Sequence, residues 1–478
     1  MSSHRENTER YASHLAPGFR STRDDPRITF AADVDTGSYS NVRRMLLRER
    51  RLPPANAVRV EELVNYFRYA GVEPSGEHPV AASIEIASCP WRREHRLAVA
   101  TVRTARISSG ARQPANLVFL LDVSGSMGSS DKLPLLQRSF QLLVDQLQGR
   151  DRVAIVVYAG SAGLVLPSTA CSNKDEILDA VASLRAGGST AGAQGIRLAY
   201  RVARQHFVPD GINRVLLATD GDFNVGISDR EELVAMIEEE AADGIFLTTL
   251  GFGTGNLKED TLEQLADRGN GHYAYIDSLL EARKVLVDEL GATLEVVARD
   301  VKLQATFNPA RVAAHRLVGY ANRRLKHRDF ADDEKDGGEL GAGHQVTALF
   351  EIVPKGAELP DMEPGDATDP EFATLEGEAL MRIDVRYKSP TGTQGRQVES
   401  FGVDDGRTLG TASEDVVFAA AVAWFAEAVR EEPEPTPRTW DRIDLLARSA
   451  VAGNGTRAEF LRLIEAARGL RTAEGTPR

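Results

Sequence analysis

The run Asn116-Leu117-Val118-Phe119-Leu120-Leu121-Asp122-Val123-Ser124-Gly125-Ser126 decides the fold. Residues 117–121 are apolar without a break, which marks a strand buried on both faces, as in a parallel sheet covered by helices. Downstream the same alternation of apolar strand, loop and amphipathic helix repeats. Strands are expected at 153–158, 215–218, 245–250 and 273–276, and helices near 133–147, 174–184, 192–206, 231–241, 257–266 and 279–290. That pattern specifies an α/β domain over 113–292 with a doubly wound, mostly parallel sheet.

On either side of this domain the hydrophobic period changes to two. Ile84 and Ile86 alternate with Ser83 and Glu85, and Leu97, Val99 and Thr101 follow after a polar turn, which predicts a hairpin. Beyond Asp300, alternation returns in Val301-Leu303-Ala305, in Val346-Ala348-Phe350-Ile352, and in Met381-Ile383-Val385-Tyr387 set against Arg382, Asp384 and Arg386. The expectation is one antiparallel β-sandwich, its first strands in 76–112 and the remainder in 293–408, with the α/β domain inserted between them. Upstream, 1–25 reads as a charged, disordered tail. The segment 26–75 reads as a helical extension, with Val42, Leu46 and Leu47 on one face and Val60, Leu63, Val64 and Phe67 on a second helix beyond Pro53-Pro54. A capping box from Thr411 to Glu414 opens a C-terminal helical segment, 409–478, and 355–378 reads as an exposed loop.

The 478 residues carry a net charge of −13, which opposes non-specific binding to phosphate backbones and excludes nucleic acid as the expected partner. The two cysteines, Cys89 and Cys171, lie in unrelated segments without metal-ligand spacing, so neither a disulfide framework nor a zinc site is expected. The longest unbroken apolar run, 416–426, is roughly half of the ~20 residues a membrane-spanning helix needs, and it reads as a buried helix. The N-terminus has no signal-peptide core and no cysteine for lipid attachment, so the chain as written is expected in the cytoplasm; a start further upstream would make it exported or envelope-associated.

The chemistry concentrates where the first α/β strand ends. In Asp122-Val123-Ser124-Gly125-Ser126 three oxygen-bearing side chains alternate on a turn, beyond the carboxyl end of a strand, where open α/β sheets bind ligands. Thr190, in Gly187-Gly188-Ser189-Thr190, offers a fourth oxygen, and Asp220, which ends the next apolar strand, a fifth. Sulfur and imidazole are absent from the set, which therefore suits a hard cation: Mg²⁺, with Mn²⁺ or Ca²⁺ as alternatives. A coordination position left open would take a carboxylate, so the expected partner is a protein presenting Asp or Glu.

Asp122-x-Ser124-x-Ser126 with Thr190 and Asp220 resembles the metal-ion-dependent adhesion site of von Willebrand factor type A domains. The resemblance implies that Ser124, Ser126 and Thr190 touch the ion through hydroxyls, and that Asp122 and Asp220 act directly or through water. The flanks, Asp33-Val34-Asp35-Thr36-Gly37-Ser38-Tyr39 with 59–67, and Phe307-Asn308-Pro309 through Gly341-Ala342-Gly343-His344, are similar to the bacterial YfbK-like proteins. No enzymatic activity is implied by that family.

A rival reading exists. Asp33-x-Asp35 after an apolar stretch resembles the phosphoaspartate loop of haloacid-dehalogenase-like phosphatases, in which one carboxylate attacks phosphorus and the other moves the proton. The plainer reading is a helix N-terminus capped by Asp35, Thr36 or Ser38. A third role is structural, with a metal that only orders loops. Gly251-Phe252-Gly253-Thr254-Gly255 lacks the last glycine of a dinucleotide fingerprint and reads as a tight turn, and the basic run from Arg43-Arg44 to Arg51 reads as a solvated helix face.

Overall fold

The computed structural model describes residues 11, 17–32, 35–107, 112–189, 192–221, 227–254, 257–289, 294–320, 324–332, 337–364, 375–390, 392, 394–430, 435–451 and 455–474. The chain divides into two compact units, one centred on Arg106–Val296 and the other built from Ser13–Ala105 with Val297–Arg478.

In the first unit a six-stranded sheet runs in the order Tyr273–Ile276, Ile245–Phe252, Ile212–Thr219, Ala115–Asp122, Arg152–Tyr158, Ala162–Ala170. The first five strands are parallel and the last is antiparallel. The deciding strand lies in the interior of the sheet, and its alternate residues serve two cores. Leu117, Phe119 and Leu121 join Leu136 and Phe140 of the helix Leu133–Gln146 on one face; Val118 and Leu120 join Ile196 and Ala199 of the helix Gly192–Gln205 on the other. This double burial explains the unbroken apolar run. The strand Ala162–Ala170 is absent from the sequence reading. As an edge strand it exposes Leu164 and Val165 and contains Pro167, so it carries neither an apolar run nor a clean alternation.

The second unit contains two sheets whose neighbouring strands are antiparallel. One is ordered Arg20–Ser21, Val312–Val318, Gln345–Pro354, Arg96–Thr104, Val80–Ser88; the other Arg324–Leu325, Arg27–Ala31, Val296–Phe307, Ala379–Lys388, Gly395–Val403. Phe30, Leu303, Phe307 and Ile383 from one sheet share a core with Ala100, Leu317 and Phe350 from the other. Two expectations are corrected here. Arg20–Ser21, assigned to the tail, pairs with His315 and Ala314, and Arg27–Ala31, assigned to the helical extension, is a strand paired with Val296–Phe307. A two-residue strand has no measurable period, and the partners of both segments lie at the far end of the sequence.

The helices from the two chain ends form one further cluster. Tyr39 stacks on Tyr66 at 3.6 Å between ring centroids, Phe67 meets Phe418 edge-on at 4.8 Å, and Phe425 meets Phe460 at 5.0 Å. Arg43 and Arg44 are buried in it rather than solvated: Arg43 donates to the Tyr66 hydroxyl at 2.9 Å and pairs with Glu459 at 3.0 Å, and Arg44 pairs with Glu49. The helix Glu414–Arg430 is capped by Ser413, whose hydroxyl accepts from the Val416 N–H at 3.3 Å, while Thr411 turns back to bond Thr408. Among the described residues no helix is long and apolar enough to cross a membrane.

Candidate functional site

Asp122 is the last residue of the strand Ala115–Asp122, and Asp220 follows the adjacent strand Ile212–Thr219, so parallel pairing brings the two carboxylates to one rim. Asp122 is fully buried and thoroughly engaged. Its Oδ1 accepts from the Ser124 N–H at 2.8 Å, and its Oδ2 accepts from the Thr219 hydroxyl at 3.0 Å and the Tyr158 hydroxyl at 3.3 Å. Burial pushes the Asp122 carboxyl above its ordinary range; the Ser124 and Thr219 hydrogen bonds pull it back, and the Asp220 charge adds to the rise.

After Asp122 the chain turns into a short 3-10 helix, Gly125–Gly128, which sets Ser124 and Ser126 side by side with their hydroxyl oxygens 3.0 Å apart. The glycine loop at 187–188 is latched to this turn by two backbone bonds, Gly187 N–H to Val123 O at 2.8 Å and Gly125 N–H to Gly188 O at 3.0 Å. Gly188 has φ +89°, a left-handed conformation that disfavours a side chain. Thr190 lies outside the described residues, as does Asp33 of the rival reading. Asp35 is buried ahead of the helix Gly37–Arg43, whose Ser38 N–H is taken by the Glu62 carboxylate at 2.8 Å, so Glu62 serves an N-terminal donor where sequence pointed to Asp35, Thr36 or Ser38.

The rim also contains residues that sequence reasoning missed. Lys132 Nζ donates to Asp220 Oδ2 at 2.7 Å, with both side chains almost wholly buried. Breaking such a pair by removing one partner costs about 3–5 kcal/mol, because the other charge is left buried and uncompensated. Thr219 had a signal, since it directly precedes Asp220 at the end of an apolar strand. Lys132 had none, its partner being 88 residues away.

The Ser124 and Ser126 hydroxyls and the Asp122 and Asp220 carboxylates are all oxygen donors, the class that hard cations take. In octahedral coordination with bonds of 2.0–2.1 Å, adjacent ligand oxygens stand about 3 Å apart, and Ca²⁺ bonds would spread them further. The Ser124 and Ser126 oxygens, 3.0 Å apart, share a hydrogen bond with one another. Among the described residues no group of three or more His, Cys, Asp and Glu side chains gathers to hold a metal, so a bound ion would depend on these hydroxyls together with the two carboxylates.

Residues 116–288 match the family model described as von Willebrand factor type A domain; 5–99 match a model described as von Willebrand factor, and 292–470 one described as uncharacterized protein YfbK, C-terminal. The uncharacterized protein YfbK of Escherichia coli strain K12 is 41% identical over 473 residues, covering 97% of this chain and 82% of that one. Human inter-alpha-trypsin inhibitor heavy chain H3 is 27% identical over 166 residues, 33% of this chain and 18% of its own length. A solved von Willebrand factor type A protein from Catenulispora acidiphila is 16% identical with a TM-score of 0.43, covering 81% of this chain and 89% of that one. Matched along almost its whole length, with a type A domain between its flanking regions, the chain belongs to the YfbK family.

Proposed function

We propose that this protein is a Mg²⁺-dependent protein-binding module that recognises an acidic residue of a protein partner and performs no turnover of its own. Type A domains are typically protein-interaction modules, and this chain contains one. The observation that carries the finer reading is the pairing of Ser124 and Ser126 hydroxyls, 3.0 Å apart, on a rim that also presents Asp122 and Asp220. In this reading Ser124, Ser126 and Thr190 hold the ion, and Asp122 and Asp220, the latter paired with Lys132, offset part of its charge. When bound, the ion supplies a concentrated positive charge that attracts a carboxylate oxygen. The chain's own residues do the rest. Thr219, Tyr158 and the Ser124 N–H fix Asp122, and the latch to Gly187 and Gly188 fixes the turn. We read the two sheets of the second unit as a sandwich that carries the type A unit as an insertion.

The test compares the intact protein with a double variant, Asp122→Ala with Asp220→Ala. Mg²⁺ should raise the melting temperature of the former and not of the latter, and only the former should retain a protein partner on beads in Mg²⁺. Partner retention that survives EDTA unchanged sinks the proposal.

A further inference from the structure

We propose that Lys132 is a resident counter-charge that gives the ion site its appetite for one acidic group from outside, an inference that rests on the metal reading above. Lys132 is held too firmly to be a wandering surface lysine. It precedes the helix Leu133–Gln146, its N–H bonds Ser129 O at 3.1 Å, and its carbonyl accepts the Leu136 N–H at 2.8 Å. The side chain then runs across Gly253, which has φ +74°; a Cβ built there would overlap the Cγ, Cδ and Cε of Lys132. The stem thus fills a slot that only glycine leaves open, and the slot delivers Nζ to Asp220 Oδ2 at 2.7 Å with 5% of the lysine side chain exposed.

The consequence is electrostatic. Asp122 and Asp220 bring two negative charges, enough to neutralise a divalent ion by themselves, and such a site would have no net pull on a further anion. Lys132 offsets one of them. A divalent ion held beside it leaves one positive charge over, which a single carboxylate balances. The same charge would weaken capture of the ion itself, since a fixed cation bonded to Asp220 repels a second cation drawn to that carboxylate. Lys132 therefore trades metal affinity for selectivity toward an acidic partner, and it is a specificity-determining residue rather than a ligand.

The experiment uses the full chain as wild type, Lys132→Met, Lys132→Gln and Lys132→Arg. Mg²⁺ affinity is measured by titration calorimetry and by the Mg²⁺-induced rise in melting temperature. Carboxylate binding is measured with acetate as the probe, through relaxation of its methyl protons by protein-bound Mn²⁺. Removing the charge should tighten Mg²⁺ by about tenfold or more and abolish most of the acetate relaxation. Lys132→Arg, which keeps the charge while placing a larger head in the slot beside Gly253, should not show the tightening of Mg²⁺ that the uncharged variants show. Lys132→Gln retains a donor for Asp220 and must behave as Lys132→Met does; should the methionine variant fold only with Mg²⁺, the glutamine variant decides. If the uncharged variants bind Mg²⁺ no more tightly than wild type, or bind acetate as well, the inference is overturned while the metal reading stands. If neither wild type nor any variant binds Mg²⁺ or Mn²⁺, both fall together.

Discussion

The hydroxyl of Thr219 donates to Oδ2 of Asp122 at 3.0 Å, joining two neighbouring strands across 97 residues of sequence. The same oxygen accepts the Gly221 N–H at 3.2 Å, so Thr219 ties the loop after Asp220 to the carboxylate of the other strand. Thr219→Val keeps the shape and removes both bonds. We expect a loss of about 1–3 kcal/mol in urea unfolding, since a buried carboxylate and a buried N–H each lose a partner. The Mg²⁺-induced rise in melting temperature should shrink as well. Thr219→Ser should preserve both; a valine variant as stable and as responsive to Mg²⁺ as wild type would show that Asp122 is held without Thr219.

His315 predicts how the second unit responds to acid. It is fully buried, stacked on Phe307 at 3.9 Å between centroids, and its Nε2–H donates to the Asp25 carbonyl at 2.8 Å. Burial, reinforced by the charges of Arg20 and His327, outweighs the help from Asp25 and lowers its pKa from 6.5 to about 4. Asp25 itself, which burial would raise but His327 and Arg20 hold at about 2, stays ionised through this window. The folded state keeps His315 neutral where the unfolded chain would protonate it. Its contribution is therefore complete above pH 6.5 and is lost as pH falls toward 4, roughly 3 kcal/mol in all at 1.36 kcal/mol per unit. His315→Gln should flatten the decline in urea midpoint between pH 7 and pH 4.5; an equally steep decline would assign the acid sensitivity to another group.

Much of this architecture is legible in sequence wherever burial is two-sided and contiguous. Leu117 to Leu121 announces its strand because both faces are covered, and Asp122-x-Ser124-x-Ser126 announces its turn because all three residues fall within five consecutive positions at the strand's end. What sequence hides is pairing at a distance. Arg20–Ser21 is too short for a period, and its partner strand is Val312–Val318. Arg43 and Arg44 resemble a solvated basic face until Glu459, Tyr66 and Glu49 are brought to them. Lys132 reads as an ordinary loop lysine, because neither Asp220 nor Gly253 is near it along the chain.

Phe418 sits at the centre of the helical cluster, fully buried, edge-on to Phe67 at 4.8 Å and to Phe460 at 5.6 Å. Phe67 lies just beyond the helix Val60–Asn65, whereas Phe418 and Phe460 lie in the helices Glu414–Arg430 and Gly455–Glu474, so the trio draws on both chain ends. Phe418→Ala should cost about 3–5 kcal/mol, the usual loss for a phenylalanine whose cavity cannot collapse. Hydrogen exchange should then speed up in Gly37–Arg43 and Val60–Asn65 as well as in the C-terminal helices. Faster exchange confined to Glu414–Arg430 would mean that the N-terminal helices stand without that support.

Gly195 offers a prediction whose sign is diagnostic. In an exposed helix, Gly→Ala stabilises by about 1 kcal/mol, because alanine is the better helix former. Gly195 lies in the helix Gly192–Gln205, where a Cβ would come within 2.9 Å of the Tyr158 Cβ and 3.0 Å of the Leu120 Cδ1. Neither neighbour can yield easily. Leu120 is fully buried in the interior strand, and Tyr158, equally buried, has its hydroxyl on Asp122 at 3.3 Å. Gly195→Ala should therefore destabilise by about 1–3 kcal/mol, the cost of overpacking a close-packed core. Because the displaced ring is the one bonded to Asp122, Mg²⁺ affinity should fall with stability. A control, Gly455→Ala, places the methyl where nothing lies within 4 Å and should leave both quantities at or above wild type. If Gly195→Ala is instead stabilising and Mg²⁺ binding is unchanged, the helix does not pack against Tyr158 closely enough to support the rim.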